Sequence, residues 1–385
     1  MAVWDELTGQ SEAIAVFEAA ASASTAGGSD DSSMTHSWLI TGPPGSGRSN
    51  LAFAFAAALL SSTPEGDPAV QRQVAARTHP DLAVLSTDRV IISIEEVRQL
   101  VATSQYSPSV GRFRVVIIED ADRMTERTSN VLLKALEEPP PRTVWILCAP
   151  SEADLIPTIR SRVRTVQLRV PPIADVAELI HRRDGVDLEL ATRAAREAQS
   201  HIGMAHRLAT NAEARDRRAR TLELALGIRS VSGAVAAAGT LLQLATDDAK
   251  AITEERDAEE RESTLRSLGI EPGGTIPPAL RAQLKSLEED QKRRATRSLR
   301  DGIDRILVDM LSLYRDILLI QLGVTSELIN LSIERQLMTA SAEATAPQTL
   351  ATMDAIATAR KRIAGNVAPA LALEAMLVAA VRTRA

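Results

Sequence analysis

The sequence predicts an α/β module with a parallel sheet, followed by a long region that is helical throughout. Short apolar strands alternate with helices through residue 170, which is typical of parallel strands joined by crossover helices. A loop rich in glycine and proline, Gly42 to Ser49, follows the first of these strands and precedes a helix. After Pro171 the strand signals stop and only helical periodicity remains.

The composition indicates a globular chain of two or three domains, since it has 385 residues and a domain takes roughly 150. Aromatic residues make up only 2% and the net charge is −6, which disfavours an aromatic platform or a large basic surface for nucleic acid. The single cysteine, Cys148, excludes an internal disulfide and a thiolate zinc site. The sequence has no run of about 18 apolar residues, so no membrane-spanning helix is predicted. The first residues include Asp5 and Glu6 and do not show the basic and then apolar pattern of a secretion signal. We therefore expect a cytoplasmic protein.

The elements of the first 170 residues follow from local patterns. A β-branched run after Arg114 indicates a central strand, the prolines from Pro139 end a helix, and Pro64, Gly66 and Pro68 favour a loop. We expect helices over Ser11 to about Ala23, Ser49–Leu60, Ile94 to about Ser104, Thr125–Glu138 and, as a short helix or turn, Pro157–Arg164; strands over Ser37–Thr41, Leu82–Leu85, Arg114–Ile118, Thr143–Ala149 and Val166–Val170; and a loop over Ser61–Thr78.

The rest of the chain is predicted to be helical. The expected helices are Ile173–His181, Leu188–Ala198, Ile202–Thr210, Glu213–Leu226, Ser232–Ala245, Asp247–Leu268, Pro278–Leu322, Ser326–Met338 and Gln348–Val381, with a linker over Glu271–Pro278. Alternating charges over Glu254–Arg266 are typical of a solvated helix face. We therefore predict three domains, at residues 1–170, 171–212 and 213–385.

The glycine-rich loop matches a phosphate-binding loop at all but one position. The pattern is G-x-x-x-x-G-K-[S/T], and Gly42, Gly47 and Ser49 have the required spacing, but Arg48 replaces the lysine. A planar guanidinium does not substitute for a compact ammonium at a tight site, so we expect ATP and magnesium to bind weakly or not at all. Arg48 could bind a phosphate or fill the pocket without nucleotide. The candidate nucleotide-binding residues are Gly42, Pro43, Pro44, Gly45, Ser46, Gly47, Arg48 and Ser49.

An acidic pair, Glu119 and Asp120, ends the strand that follows Arg114 and stands where such proteins hold a metal and orient water. The usual order is aspartate then glutamate, and here it is reversed. Because catalysis needs accurate placement of these groups, the exchange argues against hydrolysis.

Three further stretches resemble bacterial clamp loaders, the family of the DNA polymerase III gamma/tau and delta prime subunits. They are Trp4–Gln10 (WDELTGQ), Leu132–Pro140 (LLKALEEPP) and Pro157–Arg162 (PTIRSR). The resemblance covers residues 1–210 and is architectural beyond them. It implies an AAA+ α/β module, a small helical lid and an all-α C-terminal collar that joins subunits in a ring.

Within that family the departures favour the non-hydrolysing stator, delta prime, over the ATP-hydrolysing gamma/tau motor, which stays the alternative. Besides Arg48, the first sensor position falls near Ala149-Pro150. The stretch that matches the second sensor motif, Gly-Ser-x-Arg, is Gly203-Met204-Ala205-His206, with Arg207 one place late. Relatives carry a four-cysteine zinc module where Ser61–Thr78 has no cysteine, so no zinc is expected. The implied role is a subunit of a nucleotidyltransferase holoenzyme without catalytic activity of its own. A structural module outside replication is a third hypothesis.

One motif of the motor mechanism is retained. Ser161-Arg162 matches the family's Ser-Arg-Cys, with Val163 in place of cysteine. The resemblance implies that Arg162, with Ser161, is an arginine finger that reaches ATP on a neighbouring subunit, rather than a surface ion pair. The implied partners are the gamma/tau and delta subunits, with the sliding clamp and primer–template DNA reached through the complex.

Overall fold

The computed structural model of the chain describes residues 4, 7–26, 34–62, 67–87, 91–267 and 281–381. These residues belong to two compact units, Met1–Thr210 and Asn211–Ala385, which we call unit 1 and unit 2. Among the helices so described, none is both long enough and apolar enough to cross a membrane.

Unit 1 is built on a sheet of five parallel strands in the order β2-β3-β4-β1-β5. The strands are β1 (Ser37–Thr41), β2 (Leu82–Leu85), β3 (Arg114–Ile118), β4 (Thr143–Ala149) and β5 (Arg164–Gln167). Four of them have the predicted bounds. The fifth, predicted over Val166–Val170, begins and ends earlier than predicted. It ends before Arg169 because the main chain of that residue exchanges two hydrogen bonds with the side-chain amide of Gln10 and so leaves the ladder.

Among the described residues of unit 1, nine α-helices surround this sheet or follow it. They are α1 (Ser11–Ala26), α2 (Arg48–Leu60), α3 (Pro68–Ala75), α4 (Ile94–Ser104), α5 (Glu126–Glu137), α6 (Pro157–Arg160), α7 (Ile173–Asp184), α8 (Leu188–Glu197) and α9 (Ile202–Thr210). The predicted loop over Ser61–Thr78 is wrong in its second half, where α3 forms. Pro68 stands at the first turn, where its missing N–H costs nothing, and Asp67 caps the helix by accepting from the Ala69 amide at 2.7 Å.

Alternate residues of the central strands enter two cores, one on each face of the sheet. On the first face, Phe17 of α1, Trp38 of β1 and Phe55 of α2 pack with ring centroids 4.5–5.5 Å apart. Cys148 of β4 lies on the same face, and burial raises the pKa of its thiol to about 12. On the opposite face, Trp145 of β4 packs beneath α4 and α5.

Asp81 fixes the turn that leads into β3. Its buried carboxylate accepts from the amides of Ser109, Val110 and Gly111 at 2.7 Å each and from Arg114 Nη2 at 3.1 Å. Burial alone would raise the pKa of Asp81, but the Gly111, Ser109 and Val110 amides outweigh it and hold the pKa at about 2. The turn is therefore anchored most strongly when this carboxyl is ionised.

Unit 2 consists of helices and connecting turns over the residues described. Its helices are α10 (Ala212–Gly227), α11 (Val231–Ser267), α12 (Arg281–Gln321), α13 (Glu334–Glu343), α14 (Ala346–Ala364) and α15 (Pro369–Ala379). A single core joins them, with Leu241 of α11, Leu313 of α12 and Leu373 of α15 fully buried. The predicted linker Glu271–Pro278 lies outside the described residues.

Three predicted helix boundaries in unit 2 are wrong, each for a local reason. The two helices predicted from Ser232 to Leu268 are one, α11, since no glycine or proline separates them. The helix predicted over Gln348–Val381 divides into α14 and α15 at Asn366, which has a φ of 66°, shortly before Pro369. The helix predicted from Ser326 starts later, because buried Asp316 accepts the amides of residues 329 and 330 and holds that stretch as a turn.

Candidate functional site

The eight predicted nucleotide-binding residues, Gly42 to Ser49, form one loop between β1 and α2. Gly45 and Gly47 have φ values of 80° and 92°, in the left-handed region that favours glycine. The Gly42 amide donates to the Pro150 carbonyl at 3.2 Å, which ties the start of the loop to the end of β4. Helix α2 begins at Arg48, so its N-terminus faces the loop as in a phosphate-binding motif.

Arg48 is turned onto the loop that carries it. Its Nη1 donates to the Gly42 carbonyl oxygen at 2.8 Å. Burial, together with the charge of Asp120, raises the pKa of nearby Asp122, and the charge of Arg48 partly opposes this rise. The guanidinium at the lysine position thus stabilises the loop with a hydrogen bond of its own.

The outer side of the loop is covered by the start of α9. A methyl group added to Gly45 would lie 2.2 Å from His201 Cγ, so the imidazole packs directly on this glycine. The Ile202 amide donates to the Gly45 carbonyl at 3.3 Å, and His201 Nδ1 accepts from the Met204 amide at 3.2 Å. The same histidine therefore caps α9 and contacts the loop.

The acidic pair lies where the sequence placed it, directly after β3. Glu119 pairs with Arg77 Nη2 at 2.9 Å, and its side chain is 11% exposed. The Arg77 guanidinium also lies 5.1 Å from the centroid of Phe53, a cation–π contact. Asp120 lies 3.9 Å from Arg123. The carboxylate expected to hold a metal is thus paired with a side chain from the segment that follows α3.

The predicted nucleotide-site residues contact other groups of the protein. Arg48 is bonded to the Gly42 carbonyl, Glu119 is paired with Arg77, and Ala149, at the predicted first sensor position, is apolar and buried. Within the described part of the chain, no group of three or more His, Cys, Asp or Glu side chains is arranged to hold a metal ion. The second sensor stretch is also engaged, because His206 Nδ1 lies 2.7 Å from Asp184 Oδ2.

Arg162 lies elsewhere on unit 1, after the short helix α6. Its Nε and Nη2 both donate to Glu137 Oε1 at the end of α5. Its Nη1 donates to the Thr158 carbonyl at 2.7 Å and to Ser161 Oγ at 3.0 Å. The Arg162 side chain is 32% exposed and that of Glu137 44%. None of these partners belongs to the nucleotide loop or the acidic pair.

The neighbouring arginines have different surroundings. Arg164 lies over the Trp38 ring at 5.2 Å, and Arg169 pairs with Glu12 at 2.9 Å. Arg160 is exposed. Arg162 is joined through Glu137 to the stretch Leu132–Pro140, which also resembles clamp loaders.

Sequence reasoning missed three residues that shape these sites, namely Arg77, His201 and Glu137. Glu137 could have been found, because it lies within the quoted stretch Leu132–Pro140. Arg77 and His201 had no local signal, since their partners, Glu119 and Gly45, are distant in the sequence.

Comparison with known proteins identifies the region that carries these sites. Residues 20–172 match a family model described as DNA polymerase III, delta subunit. The delta prime subunit of Pseudomonas aeruginosa is 37% identical over 134 residues, 33% of this chain and 41% of that protein. The tau/gamma subunit of Haemophilus influenzae is 30% identical over 149 residues, 37% of this chain and 22% of that protein.

A crystal structure of a DNA polymerase III gamma subunit-related protein from Thermotoga maritima has a TM-score of 0.42 and 18% identity, covering 90% of this chain and 94% of that one. The chain spans less than half the length of the two curated relatives above. The fold class predicted from the sequence, an α/β module with a parallel sheet followed by helices, is confirmed. Over its α/β region, this chain is similar to bacterial clamp-loader subunits of the delta prime and tau/gamma kinds.

Proposed function

We propose that this chain is the delta prime-type stator of a DNA polymerase III clamp loader. In this role it does not hydrolyse ATP, and it supplies Arg162 to ATP bound by a neighbouring subunit. Its contribution to the polymerase holoenzyme is assembly and activation, with no nucleotidyl transfer of its own.

The observation that carries the proposal is the hydrogen bond from Arg48 Nη1 to the Gly42 carbonyl at 2.8 Å. In a motor subunit the cation at this position reaches the β- and γ-phosphates. Here it binds the loop itself, which supports a stable loop that does not depend on nucleotide.

Arg162 has the chemistry needed for the complementary role. A guanidinium stays charged at all physiological pH values and can donate two parallel hydrogen bonds to phosphate oxygens. An arginine supplied in trans stabilises charge on the transferring phosphoryl group. Because its side chain is one-third exposed, a neighbouring subunit can approach it without unfolding unit 1.

The proposed partners are gamma/tau-type and delta-type subunits, held through the helices of residues 213–385 as a collar, with residues 171–212 as the lid. The sliding clamp and primer–template DNA are reached through the assembled complex. The net charge of −6 supports this indirect route to DNA.

The test is ATP hydrolysis by the complex assembled with the gamma/tau-type and delta-type subunits of the same organism. Arg162→Ala should leave assembly intact and lower clamp- and DNA-stimulated turnover by about tenfold or more. Arg160→Ala, an exposed neighbour, is the matched control and should have little effect. Unchanged turnover with Arg162→Ala would show that the finger assignment is wrong.

The retained conformation of Gly45 and Gly47 favours one alternative, an ATP-hydrolysing motor of the gamma/tau type. The isolated chain distinguishes the two. Turnover by the purified chain that is lost in Arg48→Ala supports the motor, whereas the stator has no turnover that this substitution can remove.

A further inference from the structure

We propose that Glu137 is a positioning residue for Arg162, an inference that rests on the proposed function. The carboxylate orients the guanidinium before a neighbouring subunit arrives, so that the finger enters the partner's site without first having to be ordered.

The contact joins two separate elements of unit 1. Glu137 is the last residue of α5, and Arg162 follows the C-terminal end of α6. The two side chains come from the stretches Leu132–Pro140 and Pro157–Arg162, which resemble clamp loaders independently of each other. The structure brings these stretches together through Glu137 Oε1, which accepts from both Nε and Nη2 of Arg162.

The partners of Arg162 differ in strength, and this difference determines which contacts a phosphate replaces. Nη1 donates to neutral acceptors, the Thr158 carbonyl at 2.7 Å and Ser161 Oγ at 3.0 Å. Nε and Nη2 donate to a carboxylate, and charge-assisted bonds are roughly twice as strong as neutral ones. An incoming phosphate therefore displaces the two neutral acceptors from Nη1, while Glu137 keeps its hold on the Nε side.

This arrangement accelerates ATP hydrolysis on the neighbouring subunit because it keeps the Arg162 side chain ordered before engagement. A free arginine side chain has several rotatable bonds, and fixing them on engagement lowers the population that is correctly placed. Since transition-state stabilisation depends on placement to within a fraction of an ångström, loss of the support lowers kcat more than it raises KM.

The Arg162–Glu137 pair adds little to the stability of the fold, so a change in activity can be separated from a loss of folding. Arg162 and Glu137 are 32% and 44% exposed, and ion pairs at such positions contribute little to unfolding free energy. Variants of Glu137 should therefore fold and assemble, as thermal unfolding and size-exclusion chromatography can verify.

The experiment measures kcat and KM for ATP in the assembled complex with clamp and primed DNA. Glu137→Ala should lower kcat by about fivefold and change KM by less than about twofold. Glu137→Gln keeps an oxygen acceptor for Nε and should recover part of the loss. Glu138→Ala removes an exposed carboxylate next in the chain and is the matched control, with no expected change.

A double-mutant comparison decides between positioning and an independent effect. If Glu137 acts through Arg162, adding Glu137→Ala to Arg162→Ala should cause no further loss. Equal kcat for wild type and Glu137→Ala, or losses that add in the double mutant, would overturn the inference while Arg162→Ala still lowers turnover. Failure of the proposed function itself is a different result, in which Arg162→Ala has no effect.

Discussion

Two arginines of unit 1 lie in motifs for which the sequence predicts contact with phosphate, and their surroundings differ. Arg48 lies at the nucleotide loop and donates to the Gly42 carbonyl of that loop. Arg162 lies one-third exposed beside α6, where a carboxylate and two neutral oxygens hold it. The Arg48 guanidinium stabilises the loop Gly42–Ser49 by a hydrogen bond within it, whereas the Arg162 guanidinium is accessible to another molecule.

Both side chains carry the same charge, so the acceptors around each arginine determine whether it is available to a ligand. The Gly42 carbonyl of the same loop accepts from Arg48 and therefore competes with any ligand for this guanidinium. The acceptors of Arg162 include a hydroxyl and a carbonyl near the surface, which a phosphate can replace. The substitutions below change one side of this contrast at a time.

Gly45→Ala should have the largest effect on the nucleotide loop. The added methyl meets His201 Cγ at 2.2 Å, and the residue has a φ of 80°. We expect a loss of about 3 kcal/mol in unfolding free energy, from left-handed strain and overpacking. Urea denaturation measures it. Gly203→Ala is the control, because its methyl would lie 3.7 Å from His201, and an equal loss in both variants would contradict the packing argument.

Asp81→Asn tests whether the turn before the acidic pair is anchored by a charge. The pKa of Asp81 is about 2 in the folded chain against an ordinary 3.8, so its stabilising contribution is complete above pH 4 and is lost as the pH falls towards 2. Between these values the wild type should lose about 2 kcal/mol more than the variant does.

Urea midpoints measured from pH 4 to pH 2 give this difference. Asp154→Asn, at an exposed position, should retain the wild-type slope. If Asp81→Asn also retained it, the turn would not depend on the ionised carboxylate.

Arg48→Lys sharpens the contrast between the two arginines by restoring the usual cation of the loop. We expect a loss of about 1 kcal/mol, because the bond to the Gly42 carbonyl is removed. Hydrolysis by the isolated chain should stay absent, since Glu119 remains paired with Arg77 and Ala149 offers no polar group. Phosphate release measures turnover, and strong activity in this variant would mean that Arg48 alone prevents hydrolysis.

Arg77→Ala should have the smallest effect, about 0.5–1 kcal/mol, through the loss of a half-exposed ion pair and a cation–π contact. Thermal unfolding measures it, and Arg72→Ala, an exposed residue of α3, is the control. A loss of several kcal/mol would mean that Glu119 depends on Arg77 more than the 46% exposure of the arginine side chain suggests.

Local patterns predicted the parallel strands, the loop Gly42–Ser49 and the place of Glu119 because these features depend on apolar runs and short spacings. The same patterns missed α3, where Asp67 supplies a cap to a segment that composition marks as a loop. They also could not give the acceptor of Arg48 or the partner of Glu119. Those depend on side-chain directions and on residues brought together only by folding.

The lone sulfhydryl of the chain, Cys148, is sealed within the central strand β4. Alkylating reagents attack the deprotonated form, so in the native protein modification proceeds only when the sheet opens. The rate at which iodoacetamide labels this sulfur atom therefore reports how often the α/β module opens and exposes Cys148. Slower labelling after assembly would mean that contacts with neighbouring subunits make this opening less frequent.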